Sequence, residues 1–201
     1  MKSKNLKNKK DSGYEVEVRS LVSSKNFESL LTKLNTLFGN PKIVEKRSFL
    51  FKSKDKYARI RIIKGKKEAV LTEKIGSYKD LARKEINKRF NLNKKDLILK
   101  NISKRGLNKC SFLESVTYFF RGPNNQELAL SRHYGLGIFL EAEIIVKKEK
   151  DIKEAYDLVS KTLSELKLRK LNPDRYQKMM DDMYLEKAKT VASYLEKINY
   201  F

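Results

Sequence analysis

The sequence predicts an α+β fold built on an eight-stranded antiparallel β-barrel, a tunnel flanked by helices. Three observations carry that reading. Between residues 14 and 146, short stretches alternate with period two, the mark of strands with two unlike faces. Hairpin-sized connections, such as 64–67 and 76–80, join several of them and favour antiparallel neighbours. On strand after strand the charged residues share one face and the apolar residues the other. Eight such strands in succession curl and can close. If the apolar faces turn outward to the helices, the charges line a polar lumen, where acid and base must nearly balance.

The first strand is the stretch from Tyr14 to Arg19, with Tyr14, Val16 and Val18 on one face and Glu15, Glu17 and Arg19 on the other. Strand rise puts its two carboxylates about 7 Å apart, where each raises the other's pKa unless cations or water intervene. Taken alone, this is the solvated face of an edge strand. A second stretch, Phe139-Leu140-Glu141-Ala142-Glu143-Ile144, repeats the spacing. Two such strands in one sheet bring together Glu15, Glu17, Glu141 and Glu143, enough oxygens for a hard divalent cation, Mg²⁺ or Mn²⁺.

Residues 24–38 read as an amphipathic helix, with Phe27, Leu30, Leu31, Leu34, Leu37 and Phe38 at helical spacing, Ser24 as N-cap, and Gly39 and Pro41 ending it. Four short strands follow. Residues 43–51 alternate weakly; 57–63 put Arg59 and Arg61 opposite Ile60 and Ile62; 68–75 put Val70, Thr72 and Lys74 opposite Leu71 and Glu73; 82–90 gather Arg83, Glu85, Asn87 and Arg89. A short helix over 93–103, with Leu97, Ile98 and Ile102 on one side, closes at Gly106. Strands over 112–121 and 126–134 flank a Gly-Pro-Asn-Asn turn, and 138–146 carries the second glutamate pair. Ile152, Ala155, Tyr156, Val159, Leu163 and Leu166 form a helical stripe, and Pro173 opens a last long helix running through Met183 and Tyr184 to Val191 and Leu195. The lumen set is then Glu15, Glu17, Glu85, Glu141 and Glu143 against Arg19, Arg59, Arg61, Lys74 and Arg83.

The 201 residues read as a disordered basic arm over 1–12 and a single domain over 13–201 with C-terminal helices. The net charge of +21, spread along the chain, points to anionic partners: phosphates, nucleotides, or nucleic acid held non-specifically by the basic surface. A lysine-rich composition without functional meaning is the alternative. One cysteine, Cys110, leaves no internal disulfide and reads as a buried small residue in a cytoplasmic chain. No apolar run approaches a membrane span. The single histidine, His133, leaves no basis for a histidine metal site or a Ser-His-Asp triad and reads as a surface or rim residue. No phosphate-binding loop of the Gly-x-x-x-x-Gly-Lys type is present.

In order along the chain, Glu15-x-Glu17-x-Arg19, Arg59-x-Arg61, Leu71-Thr72-Glu73-Lys74, Arg83-x-Glu85 and Gly135-Leu136-Gly137-Ile138-Phe139-Leu140-Glu141-Ala142-Glu143 resemble the motifs of the CYTH superfamily, the triphosphate tunnel metalloenzymes. Asp174-Arg175-Tyr176 ahead of an apolar helix is similar to the family's C-terminal helix. The superfamily includes class IV adenylyl cyclases and thiamine, inorganic and RNA triphosphatases. The resemblance implies Mg²⁺ or Mn²⁺ on Glu15, Glu17, Glu141 and Glu143, and phosphate on Arg19, Arg59, Arg61, Lys74 and Arg83. It gives Glu15, Glu17 and Lys74 catalytic roles and makes Glu85 a support. The activity implied is hydrolysis of inorganic triphosphate or a nucleoside triphosphate. The alternatives are cyclisation of ATP to cyclic AMP and pyrophosphate, and a tunnel that binds polyphosphate without efficient turnover. A homodimer is left open. Two departures stand out: Leu113 and Ser115 occupy positions where the family carries a Lys-x-Arg pair, and Ser131 one where it tends to carry Asp. Lys109, Arg121 and Arg132 are the nearby cations able to replace the lost charge.

Overall fold

The computed structural model describes residues 12–53, 56–76, 80–107 and 109–190. The basic arm proposed for the N-terminus lies almost entirely outside them. In chain order the elements are β1 (Ser12–Val22), α1 (Phe27–Phe38), β2 (Lys42–Ser53), β3 (Lys56–Ile63), β4 (Glu68–Ile75), β5 (Arg83–Asn91), α2 (Lys95–Lys104), β6 (Lys109–Arg121), β7 (Glu127–His133), β8 (Gly137–Val146), α3 (Ile152–Glu165), α4 (Pro173–Lys187) and β9 (Lys189–Thr190). All pairings are antiparallel, in the order β2-β3-β4-β5-β1-β8-β7-β6, and a ladder from Lys42↔Phe119 to Phe51↔Cys110 joins β2 to β6. That last ladder closes the sheet into an eight-stranded barrel.

The barrel is inside out relative to a usual soluble barrel. Outward residues of β1, β6, β7 and β8 (Val16, Val18, Leu128, Leu130, Leu140 and Ala142 among them) pack under α1 and α3 through Phe27, Leu30, Leu34, Ala155, Val159 and Leu163. Outward residues of β2, β3 and β4 (Phe49, Phe51, Ile60, Ile62, Ala69 and Leu71) pack with Leu99, Ile102, Leu107 and Cys110 around α2. These two layers hold the hydrophobic stabilisation. The inner surface is therefore free to be polar.

Local signals behave as their chemistry requires, with three corrections. Gly39, at φ 80°, ends α1 by donating to the Asn35 carbonyl. The Asn172 side chain accepts from the Asp174 and Arg175 amides, and Pro173 takes the first helical position, where a missing N–H costs nothing. No side-chain hydrogen bond caps α1, so Ser24 is not its N-cap. On α2, Ile102 is buried as expected, but Leu97 is 58% exposed and Leu99 is buried in its stead. The last helix stops at Lys187 because Ala188 is extended and Lys189–Thr190 pair with Lys109 and Cys110 of β6. Val191 and Leu195 lie outside the described residues. No helix among the described residues is long and apolar enough to cross a membrane.

Candidate functional site: a charged tunnel

The period-two parity of each strand aims its charged face into one lumen. Glu15, Glu17 and Arg19 of β1, Arg59 and Arg61 of β3, Lys74 of β4, Arg83 of β5, and Glu141 and Glu143 of β8 all line it. The register explains how distant residues meet: Glu17 stands opposite Glu143, Arg19 opposite Glu141, and Glu15 opposite Arg83. Glu85, the remaining residue expected in the lumen, is the Cα partner of Lys74, and its carboxylate lies 3.3 Å from the Lys74 ammonium. Nine of the ten expected positions line the lumen, and Glu85 reaches it only through Lys74.

One wall is neutralised internally. Lys74 donates to Glu15 and lies 3.8 Å from Glu17. Arg83 donates to Glu17. Arg19 donates to both Glu17 and Glu141, and its guanidinium stacks 4.3 Å from the Tyr176 ring centre on α4. Burial alone would raise the Glu15 pKa, but Lys74, Arg83 and Arg19 outweigh it and hold it down at about 2. Glu141 is likewise held below the usual carboxylate range: burial opposes ionisation, and Arg19 leads the charges that overcome it.

Glu143 goes the other way. Burial, then the neighbouring Glu15, Glu127 and Glu141 carboxylates, push it up to about 8. Carboxylate oxygens of Glu15, Glu17 and Glu143 lie within 4.8 Å of one another. Glu141, expected in the same set, is outside that trio and turned to Arg19. An all-oxygen donor set carrying more negative charge than its surroundings tolerate suits a hard divalent cation.

The wall formed by β2 and β3 is different. Arg59 and Arg61 are largely buried, and the Nε atom of each has no hydrogen-bond partner. Burial, then Arg59, lower the Arg61 pKa to about 10. Sequence reasoning missed a third cation here. Lys46, only 7% exposed, points inward from β2 beside Ser48 and Leu50. Its signal was the outward parity of Phe49 and Phe51, obscured by the mixed inward face of the same strand.

Leu113 and Ser115 face the lumen from β6, and Ser131 faces it from β7 with its hydroxyl 2.8 Å from that of Thr117. Lys109, Arg121 and Arg132 do not replace the charge: all three are exposed, and Arg132 stacks on Phe27 outside the barrel. His133, the last residue of β7, is half-buried at the end of the barrel wall, in keeping with a rim position. It faces the lumen edge-on to Phe139, and its Nδ1 lacks a partner. Burial, aided by Lys46, Arg59 and Arg19 against Glu141, lowers its pKa to about 4. It shares the inward parity of Ser131.

One mouth of the tunnel is covered by α4, which contributes Tyr176, Met180, Asp181, Met183 and Tyr184 to the lining. Asp181 pairs with Lys52, and the Tyr184 hydroxyl donates to the Lys52 and Lys109 carbonyls at 3.3 and 2.9 Å. The segment leading into α4 is tied to β1 by the Leu171 amide donating to the Arg19 carbonyl.

Several solved structures share this architecture. The PH1819 protein from Pyrococcus horikoshii OT3 superposes with a TM-score of 0.67 at 20% identity, covering 84% of this chain and 99% of its own. A putative adenylate cyclase from Vibrio parahaemolyticus gives 0.59 at 16% identity, over 85% of this chain and 99% of its own. A putative adenylyl cyclase from Hippeastrum, described as having a dominant triphosphatase activity, gives 0.53 at 17%, over 79% and 89%. At these identities the likeness concerns the fold. No curated protein matches the chain significantly. The family model of the CYTH domain matches residues 13–176, the span that holds the whole barrel and reaches Tyr176 at the start of α4, and the chain belongs to the CYTH family.

Proposed function

We propose that the tunnel binds a triphosphate, inorganic or nucleoside, and hydrolyses it with the help of Mg²⁺ or Mn²⁺. The observation that carries the reading is the pairing of two opposite deficits in one lumen. Arg59 and Arg61 are partly buried cations whose buried Nε atoms lack a partner, while Glu15, Glu17 and Glu143 crowd carboxylates together on β1 and β8. A polyphosphate and a divalent cation satisfy both. The Hippeastrum relative described with a dominant triphosphatase activity supports the same reading.

Glu15, Glu17 and Glu143 would hold the ion, with Glu141 close behind through the Arg19 clamp. The chemistry the ion supplies is neutralisation of charge on phosphate oxygens and activation of water. The protein supplies positioning, the main demand of phosphoryl transfer. Arg59 and Arg61 offer planar, bidentate donors to non-bridging oxygens. Lys74 and Arg83, held by Glu15 and Glu17, are the cations placed to turn to phosphate once those carboxylates are otherwise engaged. Glu85 keeps the Lys74 ammonium at the wall.

A second reading, binding without efficient turnover, is favoured by the uncharged Leu113 and Ser115 on β6. The two separate in one experiment. Inorganic triphosphate or ATP is incubated with protein and Mg²⁺ or Mn²⁺, binding is followed by calorimetry, and products are identified. Hydrolysis that is lost in both Glu15→Ala and Glu143→Ala is expected. Cyclic AMP with pyrophosphate would instead make the protein a cyclase. Binding with no product favours the second reading, and no binding removes both.

A further inference from the structure

The charge missing from β6 has a counterpart on the neighbouring strand. Lys46 is the Cα partner of Ser115 across the β2–β6 ladder, and Ser115 is in turn the partner of His133. Neither neighbour offers a negative charge. Among the described residues no carboxylate pairs with Lys46, whose ammonium sits 4.7 Å from the Phe119 ring centre. Ser48, next inward on the same strand, is the partner of Arg61, and Leu50 is the partner of Arg59. Buried Lys46 and half-buried Arg59 and Arg61 thus form a patch of cations on two adjacent strands.

Such a patch of like charges is unfavourable by itself. Burial, then the Arg61 and Arg59 charges, bring the Lys46 amine down to about 7, so the site opposes its own full protonation. Glu141 and Glu127 favour the ammonium from a distance, but neither is paired with it, and a directly bound oxyanion would stabilise it. A methionine or leucine would fill the same space beside Leu50 and Leu113 without that cost. The cost makes sense as preparation for an anion.

We propose that Lys46 is a phosphate-binding residue of the tunnel, donating to a non-bridging oxygen of the polyphosphate from β2 in place of the basic residues absent at Leu113 and Ser115. The inference rests on the triphosphate reading above and adds to it a residue and a direction of approach. The bound anion is gripped from β2 and β3, with β6 forming a neutral wall of Ser111, Leu113 and Ser115.

The test uses the full chain, Mg²⁺ and the non-hydrolysable imido analogue of inorganic triphosphate, so that turnover does not enter. Wild type, Lys46→Met and Lys46→Arg are compared by calorimetry, beside Mn²⁺ binding and thermal unfolding without ligand. Loss of a charge-assisted hydrogen bond predicts at least about tenfold weaker analogue binding for Lys46→Met. Lys46→Arg is expected to stay within a few-fold of wild type. Mn²⁺ binding is unchanged, and ligand-free Lys46→Met unfolds at the same or a higher temperature than wild type. Unchanged analogue affinity in Lys46→Met, when wild type binds, overturns the role of Lys46 alone. A lower ligand-free unfolding temperature, or parallel loss of Mn²⁺ binding, makes Lys46 a structural residue. Absence of analogue binding in wild type overturns the triphosphate reading together with this one.

Discussion

Glu17 on β1 and Glu143 on β8 face each other directly across an antiparallel ladder, both turned into the tunnel. Like charges at that position destabilise a sheet, and Arg83 and Arg19 relieve only Glu17. Burial first, and then the Glu15, Glu127 and Glu141 carboxylates, hold the Glu143 proton. Glu143→Gln keeps the shape and removes the conflict. It is expected to raise the unfolding temperature of the metal-free protein at neutral pH by at least about 2–4 °C, the value of roughly 1 kcal/mol in a domain of this size. The same variant should lose most of the stabilisation that millimolar Mn²⁺ gives wild type. Thermal scans with and without Mn²⁺ check both halves, and a variant that is destabilised yet still gains from Mn²⁺ would contradict the cluster's assignment.

His133 gives the tunnel an acid-sensitive group away from those carboxylates. Its folded pKa lies near 4, below the 6.5 of a free imidazole, mainly because burial disfavours the charged ring. A depressed histidine favours folding fully above 6.5, where both states are neutral. That contribution is lost as pH falls from 6.5 through 4, because the unfolded chain takes up a proton first. His133→Gln lacks this loss. Between pH 7 and 4.5 the unfolding temperature of wild type should therefore fall further than that of His133→Gln. The low-pKa glutamates Glu15 and Glu141 lose their contribution only as pH falls below their ordinary value of 4.5, so they barely enter this window. Parallel curves would show that His133 is solvated rather than held in the wall.

Much of the barrel was legible because a strand alternates strictly. Once Glu15, Arg59, Lys74, Arg83 and Glu141 were placed on charged faces, a closed sheet could only turn them together, and the structure does so. Legibility failed where the alternation was diluted. On β2 the inward face reads Val44, Lys46, Ser48, Leu50, so neither face is apolar throughout and Lys46 gave no pattern. On α2 the choice between Leu97 and Leu99 depends on where the helix sits over β3 and β4, a tertiary fact. The last helix ended early for a similar reason. Its apolar spacing continues past Lys187, but the edge of β6 offers Lys189 and Thr190 backbone partners that a helix cannot use.

The neutral β6 wall itself makes the last prediction. Leu113 faces the lumen opposite Ser48 and is 6% exposed, so Leu113→Lys would add a cation to the patch already formed by Lys46, Arg59 and Arg61. Without ligand the added charge has no carboxylate of its own, and desolvation with like-charge repulsion should lower the unfolding temperature by several degrees. With triphosphate bound, the same ammonium gains an oxyanion, and affinity should rise by about tenfold or more. If the new contact tightens as charge moves in the transition state, kcat rises as well. If it is made equally in the ground state, only KM falls. Unfolding scans, calorimetry and steady-state kinetics on the one variant read these quantities separately. A variant that is destabilised without gaining affinity would place the anion elsewhere in the tunnel, away from β6.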